Sequence, residues 1–247
     1  MNSEKERKKT KKAKLIGFKY LVHDLVKWTG AWSALIAFRP RVYYTSKAAK
    51  KKVKGAAIVI ANHDSYLDPI KMQIPFWYRR VHIVATSDLF ANKRGKWFFR
   101  SLLCIPVNKK KFALSSFREI IDNLDAGNLV GIFPEGELKH EDDTLKSFKS
   151  GVALMAMKRG VPIIPIYIKR PAHWYSRHRI AVGEPILMEK YLGVMPTAEM
   201  LNEISCLIRE REIALMDFLR SKEKVRREKK RGSVEDKKRI NVNHDGC

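Results

Sequence analysis

Two polar clusters in the sequence come directly after apolar runs of strand length, and the first contains the residue types of a general base. Residues 62–68 read Asn-His-Asp-Ser-Tyr-Leu-Asp and follow the apolar run 57–61. His63 could accept a proton, while the carboxylate of Asp68 could fix the imidazole tautomer and stabilise the cation that forms. A structural interpretation is also open, because Asp68 before Pro69 makes a good helix N-cap.

The second cluster, Pro134-Glu135-Gly136-Glu137, follows the apolar run 129–133. Glu135 can accept hydrogen bonds from hydroxyl groups, and Gly136 lets the backbone approach a ligand closely. Ligand sites of α/β sheets form at the carboxyl ends of the strands. Both clusters are therefore candidates for a site at that edge.

Two further stretches could contribute to such a site. Residues 161–166 are apolar but contain Pro162 and Pro165. Because proline is excluded from the middle of a paired strand, we expect this run to be bent or at a sheet edge, where it could wall an apolar groove. Lys109–Lys111 end another apolar run, and lysine is a competent partner for phosphate. For at least two of these lysines we favour an exposed turn.

The rest of the chain alternates between strand and helix patterns, and these elements must position the clusters. Apolar runs of strand length occupy residues 57–61, 81–85, 104–107, 129–133, 161–168 and 180–182. Helical stretches fall at about 69–78, 90–103, 112–126 and 147–159, with a long one at about 197–224. Strands that alternate with helices predict an α/β fold, with a mostly parallel sheet flanked by helices.

The excess of basic residues limits the classes of partner that the protein is expected to bind. Lys and Arg number 50 against 26 Asp and Glu, a formal net charge of +24. A polyanion is therefore expected, either nucleic acid or an anionic membrane surface. Much of the excess lies in residues 1–14, 47–54 and 221–239, and no motif of a nucleic-acid-binding fold is present, so nucleic-acid binding is a remote alternative. Three widely spaced cysteines indicate a reducing compartment and offer no zinc site, and no metal is expected.

Residues 1–40 have the pattern of a basic, amphipathic helical segment. Their longest uncharged apolar run, residues 28–38, is too short for a spanning helix, which needs about 20 residues, and no signal-peptide pattern is present. The apolar stripe fits a membrane-binding helix in the bilayer interface or a helix packed on the core, and the basic flanks favour the membrane. The residues expected to contact the membrane are Phe18, Lys27, Trp28 and Trp32.

The predicted regions are this segment (1–40), an α/β domain (41–220) and a basic, partly disordered tail (221–247).

Together, the clusters resemble the glycerophosphate acyltransferase family, in particular the bacterial 1-acylglycerol-3-phosphate acyltransferases of the PlsC type. The likeness covers about residues 55–185. Residues 62–68 match the family's His-x4-Asp block, and residues 133–136 match its Phe-Pro-Glu-Gly block. The proline-containing run matches its Val-Pro-Ile-x-Pro-Val block. The chain departs from the family at Glu137, where a hydroxyl is usual, and at Lys109, where the family's phosphate-binding block usually has Arg.

The resemblance implies an enzyme that moves a fatty acyl group from a thioester to the sn-2 hydroxyl of 1-acylglycerol 3-phosphate, giving phosphatidic acid. His63 would deprotonate the hydroxyl with support from Asp68, and backbone N–H groups near the turn would hold the oxyanion. No acyl-enzyme and no bound cofactor would be needed. The residues that would contact the phosphate or glycerol of the substrate are Lys109, Glu135, Gly136 and Arg159.

The implied partners are an anionic membrane surface with its lyso-phospholipid, and acyl-CoA or acyl carrier protein as the thioester co-substrate. Nucleic acid is not among them. The implied location is the cytoplasmic face of the cell membrane, bound peripherally. Glycerol 3-phosphate or another lyso-lipid is the alternative acceptor, and the short chain favours 1-acylglycerol 3-phosphate.

Overall fold

The computed structural model describes most of the chain between residues 20 and 244. The described ranges are 20–21, 23–26, 28–29, 36–108, 114–136, 150–171, 173 and 176–244, with side chains up to residue 226 and at 228. Some of the residues singled out above lie outside these ranges: Phe18, Lys27, Trp32, Lys109–Lys111 and Glu137.

Within these ranges, seven strands form one sheet in the order β1-β7-β6-β2-β5-β3-β4. The strands are β1 Arg41–Tyr44, β2 Ala57–Ala61, β3 Val81–Thr86, β4 Ile105–Val107, β5 Leu129–Ile132, β6 Ile163–Lys169 and β7 Arg179–Val182. Neighbouring strands are parallel except β6 and β7, which are antiparallel. The mostly parallel α/β fold predicted from the sequence is therefore confirmed.

Helices cover both faces of the sheet. They are α1 Lys47–Lys50, α2 Asp68–Gln73, α3 Lys93–Ser101, α4 Leu114–Asp125, α5 Gly151–Arg159 and α6 Ala198–His244, with 3₁₀ turns at Ile74–Phe76, Ser87–Phe90 and Glu189–Tyr191. Helices α4, α5 and α6 pack Ile120, Met155 and Ile208 on one face. On the other face, Met72 of α2 packs against Val59 of β2. Because β2 is buried on both faces, its sequence is a continuous apolar run rather than an alternating one.

The edge strand β1 was not predicted from the sequence. Its residues are all half-buried, and it pairs in parallel with β7. A short strand that mixes Arg, Val and Tyr has no continuous apolar run, which is the pattern that identifies the buried strands.

Pro165 lies in a central strand, which corrects the expectation that its run would be bent or at an edge. Strand β6 pairs with β2 on one side and β7 on the other. On the β7 side the ladder ends at Ile166 and Val182, and the Pro165 carbonyl accepts the N–H of Gly183 at 2.9 Å. The proline nitrogen therefore lies beyond the regular ladder. A Cβ on Gly183 would approach the proline ring to 2.9 Å, so the glycine leaves room for it.

The last helix extends past the expected start of the tail. Helix α6 continues through residue 221 to His244, and Glu223 forms ion pairs with Lys169 of β6 and Arg179 of β7. These contacts attach the helix to the sheet beyond residue 220. The boundary expected at residue 221 is therefore corrected. The charge-rich run that follows it includes Glu223, whose carboxylate pairs with two cations of the α/β domain.

In the described part of the N-terminal segment, the polar edge of the helix contacts the body. His23 is buried, Asp24 pairs with Arg80 at 2.5 and 2.9 Å, and the Tyr20 ring packs against the Arg80 guanidinium. The exposed large apolar side chains of this segment are Leu21, Leu25, Val26, Trp28 and Ile36, with Trp28 75% exposed. In the described ranges, no helix is both long enough and apolar enough to cross a bilayer.

Candidate active site

Asn62 fixes the loop after β2 to the neighbouring strand β6. Its side chain is buried, and its amide nitrogen donates to the carbonyl of Ile168 at 3.0 Å while its amide oxygen accepts the N–H of Ile168 at 2.7 Å. The same nitrogen also donates to Asp64 at 2.7 Å. The asparagine amide thus continues the ladder of two central strands, and it holds the residue that precedes His63.

Asp68 is the first residue of α2, and its carboxylate turns back towards this loop. Its side chain is 1% exposed, and Oδ2 accepts the backbone N–H groups of Asp64 at 2.8 Å and Ser65 at 2.6 Å. Leu67 occupies the N-cap position, and no side chain caps the helix there. The N-cap interpretation of Asp68 is therefore wrong, because the carboxylate stabilises the loop instead of the helix end.

His63 lies between this carboxylate and the end of the adjacent strand. Its Nδ1 is 3.5 Å from Asp68 Oδ2, at the outer edge of hydrogen-bond range, and catalytic hydrogen bonds of this kind tighten when substrate binds. Its ring stacks on Phe133, which follows β5, with ring centroids 4.1 Å apart and planes inclined by 20°. The imidazole is thus oriented with Nδ1 towards the acid, and its Nε2 remains to act on a substrate.

Asp68 is ionised despite its burial. Burial alone would raise the pKa of its carboxyl group, but the hydrogen bond to His63, the positive charge of Lys71 and the N–H of Ser65 outweigh it and lower that pKa. A buried carboxylate that keeps its charge can stabilise an imidazolium beside it. The pair therefore has the electrostatics of a general base and its supporting acid.

A large open groove of about 2420 Å³ runs past His63. Its walls are mostly apolar, with side chains from the sheet edge, from α3 and from the N-terminal segment. Those closest in sequence to the candidate residues are Tyr66, Pro69, Ile70, Phe133 and Pro134. A groove of this kind fits a long apolar ligand whose polar end reaches the histidine.

The second cluster borders the same groove, but its two residues differ. Gly136 lines the groove with φ at 71°, a conformation that glycine adopts without strain. Glu135 is 4% exposed and is not among the residues that line the groove. The structure thus supports Gly136 as a contact residue, whereas Glu135 lies beside the site without being exposed to it.

Three backbone N–H groups of the two clusters already have hydrogen-bond partners. The N–H groups of Asp64 and Ser65 donate to Asp68, and the N–H of Gly136 donates to the Phe133 carbonyl at 3.1 Å. The expectation that amides of the turn would bind an oxyanion therefore fails for these three. Such a charge would have to be held by other groups of the groove.

Arg159 lies at the amino ends of the parallel strands, whereas His63 lies at their carboxyl ends. This corrects the assignment of Arg159 to the phosphate. It ends α5, just before β6 begins, and its Nε pairs with Asp125 at the end of α4 at 2.9 Å. His63 lies beyond the other end of the strands. Strand β2 alone has five residues, about 16 Å at roughly 3.3 Å per residue. Lys109 is outside the described residues, although Asn108, which precedes it, lines the groove.

The groups that a covalent mechanism would use do not have the properties of nucleophiles. Burial raises the pKa of the Cys104 thiol to about 11, and the nearby Arg100 offsets this only in part. A thiol with so high a pKa is almost wholly protonated at neutral pH. The Ser65 hydroxyl accepts the N–H of Leu67 within its own turn. His63 remains the residue placed to act on a substrate.

Lys71 is a part of the site that the sequence analysis missed. It lies one helical turn after Asp68, is 3% exposed, and its Nζ is 2.9 Å from Asp68 Oδ1. The signal in the sequence is a lysine in a mostly apolar stretch, residues 69–76, at a spacing of three from the candidate acid.

A histidine held by a buried carboxylate beside an apolar groove is the arrangement that general-base catalysis on an apolar substrate requires. The Acyltransferase family profile matches residues 40–169, more than half of the chain and the whole of this site. The chain therefore belongs to the acyltransferase family.

Known proteins similar to this chain agree with that assignment. A 1-acyl-sn-glycerol-3-phosphate acyltransferase of Bacillus subtilis is 24% identical over 159 residues, which cover 62% of this chain and 78% of the relative. The alpha form of Mus musculus is 30% identical over 122 residues, 49% of this chain and 42% of the relative. The crystal structure of the 1-acyl-sn-glycerophosphate acyltransferase PlsC from Thermotoga maritima matches with a TM-score of 0.57 at 21% identity, covering 81% of this chain and 80% of that one. The last comparison supports the fold.

We expect His63→Ala to lower kcat for acyl transfer by about 10²–10⁴-fold, the usual contribution of a general base, without unfolding the protein. Thiol release from an acyl thioester measures the rate, and near-UV circular dichroism checks the fold. The exposed His173 offers a matched control, since His173→Ala removes an imidazole far from the pair in sequence and should leave kcat unchanged. Turnover at the wild-type rate in His63→Ala would rule out His63 as the base.

Proposed function

We propose that this chain transfers a fatty acyl group from a thioester to the sn-2 hydroxyl of 1-acylglycerol 3-phosphate and so produces phosphatidic acid. The observation that carries this assignment is the His63–Asp68 pair at the wall of an apolar groove, in a chain of the acyltransferase family. The relatives described above bear this activity in their names. The thioester would be acyl-CoA or acyl carrier protein.

The reaction needs one proton acceptor and no covalent intermediate. Nε2 of His63 takes the proton of the acceptor hydroxyl as the hydroxyl oxygen attacks the thioester carbonyl carbon. The tetrahedral intermediate then collapses, the carbon–sulfur bond breaks, and the proton passes from the imidazolium to the departing thiolate. Asp68 stays ionised and stabilises the imidazolium between the two proton transfers. The enzyme ends the cycle in its starting protonation state.

A direct test compares acceptors and donors with the purified full chain. Radiolabelled acyl-CoA and acyl carrier protein are each offered with 1-acylglycerol 3-phosphate, glycerol 3-phosphate and a lysophospholipid without a free phosphate monoester. We expect phosphatidic acid from 1-acylglycerol 3-phosphate to be the main product. Preferential acylation of glycerol 3-phosphate or of the other lysolipid would instead assign the chain to a different acceptor within the same family.

Lys109 is the residue that we propose for the phosphate of the acceptor. It directly follows Asn108, a residue that lines the groove, and a lysine ammonium pairs with phosphate as a point charge. Arg159 is excluded from this role by its place at the other edge of the sheet.

Accordingly, Lys109→Ala should raise KM for 1-acylglycerol 3-phosphate more than KM for the thioester, because it removes a charge pair made already in the ground state. Arg159→Ala is the matched control, since it removes a cation from the far edge and should change neither KM. Steady-state kinetics with each substrate varied in turn gives both constants. An unchanged acceptor KM in Lys109→Ala would place the phosphate elsewhere.

We further propose that the enzyme binds peripherally to the cytoplasmic face of the cell membrane through its N-terminal segment. The polar edge of this segment faces the α/β domain through His23 and Asp24, which leaves its apolar stripe exposed on the surface. Trp28 on the stripe also lines the groove. Other aromatic side chains that line the groove and are exposed are Tyr66, Trp77 and Phe98. An apolar rim with basic flanks fits the headgroup region of an anionic bilayer.

Replacing Leu21, Leu25 and Trp28 together by Ser should weaken binding to anionic vesicles by at least about tenfold, because each exposed apolar side chain gains on the order of 1 kcal/mol or more when it leaves water. Met195→Ser, which removes an 85% exposed apolar side chain in the connection to α6, is the control and should bind as the wild type does. Vesicle cosedimentation measures the effect. A triple variant that still sediments fully would refute the anchor.

A further inference from the structure

A buried lysine faces the acid of the catalytic pair from the side opposite the histidine. The Lys71 side chain is 3% exposed, and its Nζ donates to Asp68 Oδ1 at 2.9 Å. A cation is costly to bury unless an anion compensates it, and here the compensating anion is the supporting acid itself. The reaction described above gives this lysine no part.

The two oxygens of the Asp68 carboxylate have separate partners. Oδ2 accepts the N–H groups of Asp64 and Ser65 and faces Nδ1 of His63. Oδ1 accepts the hydrogen bond of Lys71. If this last bond were lost, a buried oxygen would lack its partner, and the carboxylate could turn so that Oδ2 no longer faces the imidazole. Lys71 thus completes the set of contacts that orients the carboxylate.

The charge of Lys71 also acts on the pair. The positive charge of Lys71 balances the negative charge of Asp68, so this ion pair brings little net charge to the side of His63 that it faces. The titratable and charged groups near this centre are Asp64 of the loop, Asp68 and Lys71 of α2, His178 from the connection before β7, and Glu135, two residues after Phe133. His178 is buried, and burial together with the Lys71 charge lowers its pKa, so near pH 7 it adds little positive charge.

The packing around Lys71 leaves it little freedom to turn away. The ring of Phe38 lies 6.0 Å from its Nζ, and the same ring contacts His178 edge-on with centroids 4.9 Å apart. The Phe38 carbonyl in turn accepts the N–H of His178 at 3.0 Å. Lys71 is thus enclosed by its own helix α2, by Phe38 just before β1 and by His178 just before β7, and its ammonium group donates a hydrogen bond to Asp68.

We propose that Lys71 is a positioning residue of the acyltransferase: it keeps the Asp68 carboxylate oriented towards His63, and its positive charge acts on the pair. The second effect has a definite sign. A cation near Asp68 disfavours a second positive charge on His63, so its removal lets His63 keep its proton to higher pH. This role rests on the proposed acyl transfer only for its kinetic readout.

The test compares Lys71→Met, which keeps an unbranched side chain only one atom shorter, with Lys71→Arg, which keeps the charge. We expect kcat of Lys71→Met to fall by about tenfold or more, part of the roughly 10²–10⁴-fold that a general base supplies. The acid limb of its kcat/KM profile should move up by about one pH unit, the scale on which a neighbouring charge acts. KM for the thioester should change little, and Lys71→Arg should recover much of the rate and the wild-type limb.

The matched control is Lys169→Met, which removes a lysine paired with a carboxylate, Glu223, outside the catalytic pair. Thermal melting of all variants separates loss of fold from loss of function. If Lys71 has only a structural role, Lys71→Met and Lys169→Met will both keep the wild-type pH limb, and any loss of kcat in Lys71→Met will follow its loss of folded protein. That outcome would overturn the assignment.

A readout without substrate keeps this test separate from the proposed function. Diethyl pyrocarbonate modifies neutral imidazoles, and mass spectrometry of the peptide that contains His63 gives the pH midpoint of its modification. The midpoint should be about one unit higher in Lys71→Met than in the wild type, and equal midpoints would contradict the role of Lys71. A wild-type enzyme that fails to acylate 1-acylglycerol 3-phosphate, with the midpoint still shifted in Lys71→Met, would overturn the acceptor assignment alone.

Discussion

Burial of the Asp68 carboxylate is the constraint on which the rest of the site depends. An ionised carboxylate can leave water only where hydrogen-bond donors and a cation replace its hydration. Here the donors are the N–H groups of Asp64 and Ser65 and the ammonium of Lys71, with the imidazole of His63 beside them. The loop after β2 and the first turn of α2 therefore fold as one unit around a single charge. Asn62 attaches this unit to β6, so the histidine is positioned by the central strands of the sheet.

The N-terminal segment and the catalytic loop belong to one surface of the molecule. The polar edge of the segment contacts the body at Arg80 of the turn before β3, and Phe38 near its end packs between Lys71 and His178. Its exposed stripe then borders the groove that leads to His63. A lipid acceptor could therefore reach the base from a bilayer without leaving the interface, while its acyl chain stays in apolar surroundings.

The sequence was most informative where a local pattern and the chemistry agree. Buried parallel strands appear as apolar runs, and the spacing of His63 and Asp68 suffices to bring them together across one turn. Contacts between distant segments could not be predicted. The sequence alone does not show that Lys71 points inward to Asp68, that Arg159 lies at the strand ends opposite His63, or that Glu223 pairs with β6 and β7. These depend on the order of strands and on which face a helix presents, which local periodicity does not encode.

The central claim is that Asp68 holds His63 with Nδ1 protonated and leaves Nε2 as the base. The tautomer of His63 tests it most directly. ¹⁵N NMR of the histidine-labelled full chain, with the His63 signals identified by their loss in His63→Gln, reports which ring nitrogen carries the proton in the neutral form. The account predicts a protonated Nδ1 and an unprotonated Nε2. A neutral His63 protonated at Nε2 would contradict it, because that imidazole could neither donate to Asp68 nor accept the proton of the acceptor hydroxyl.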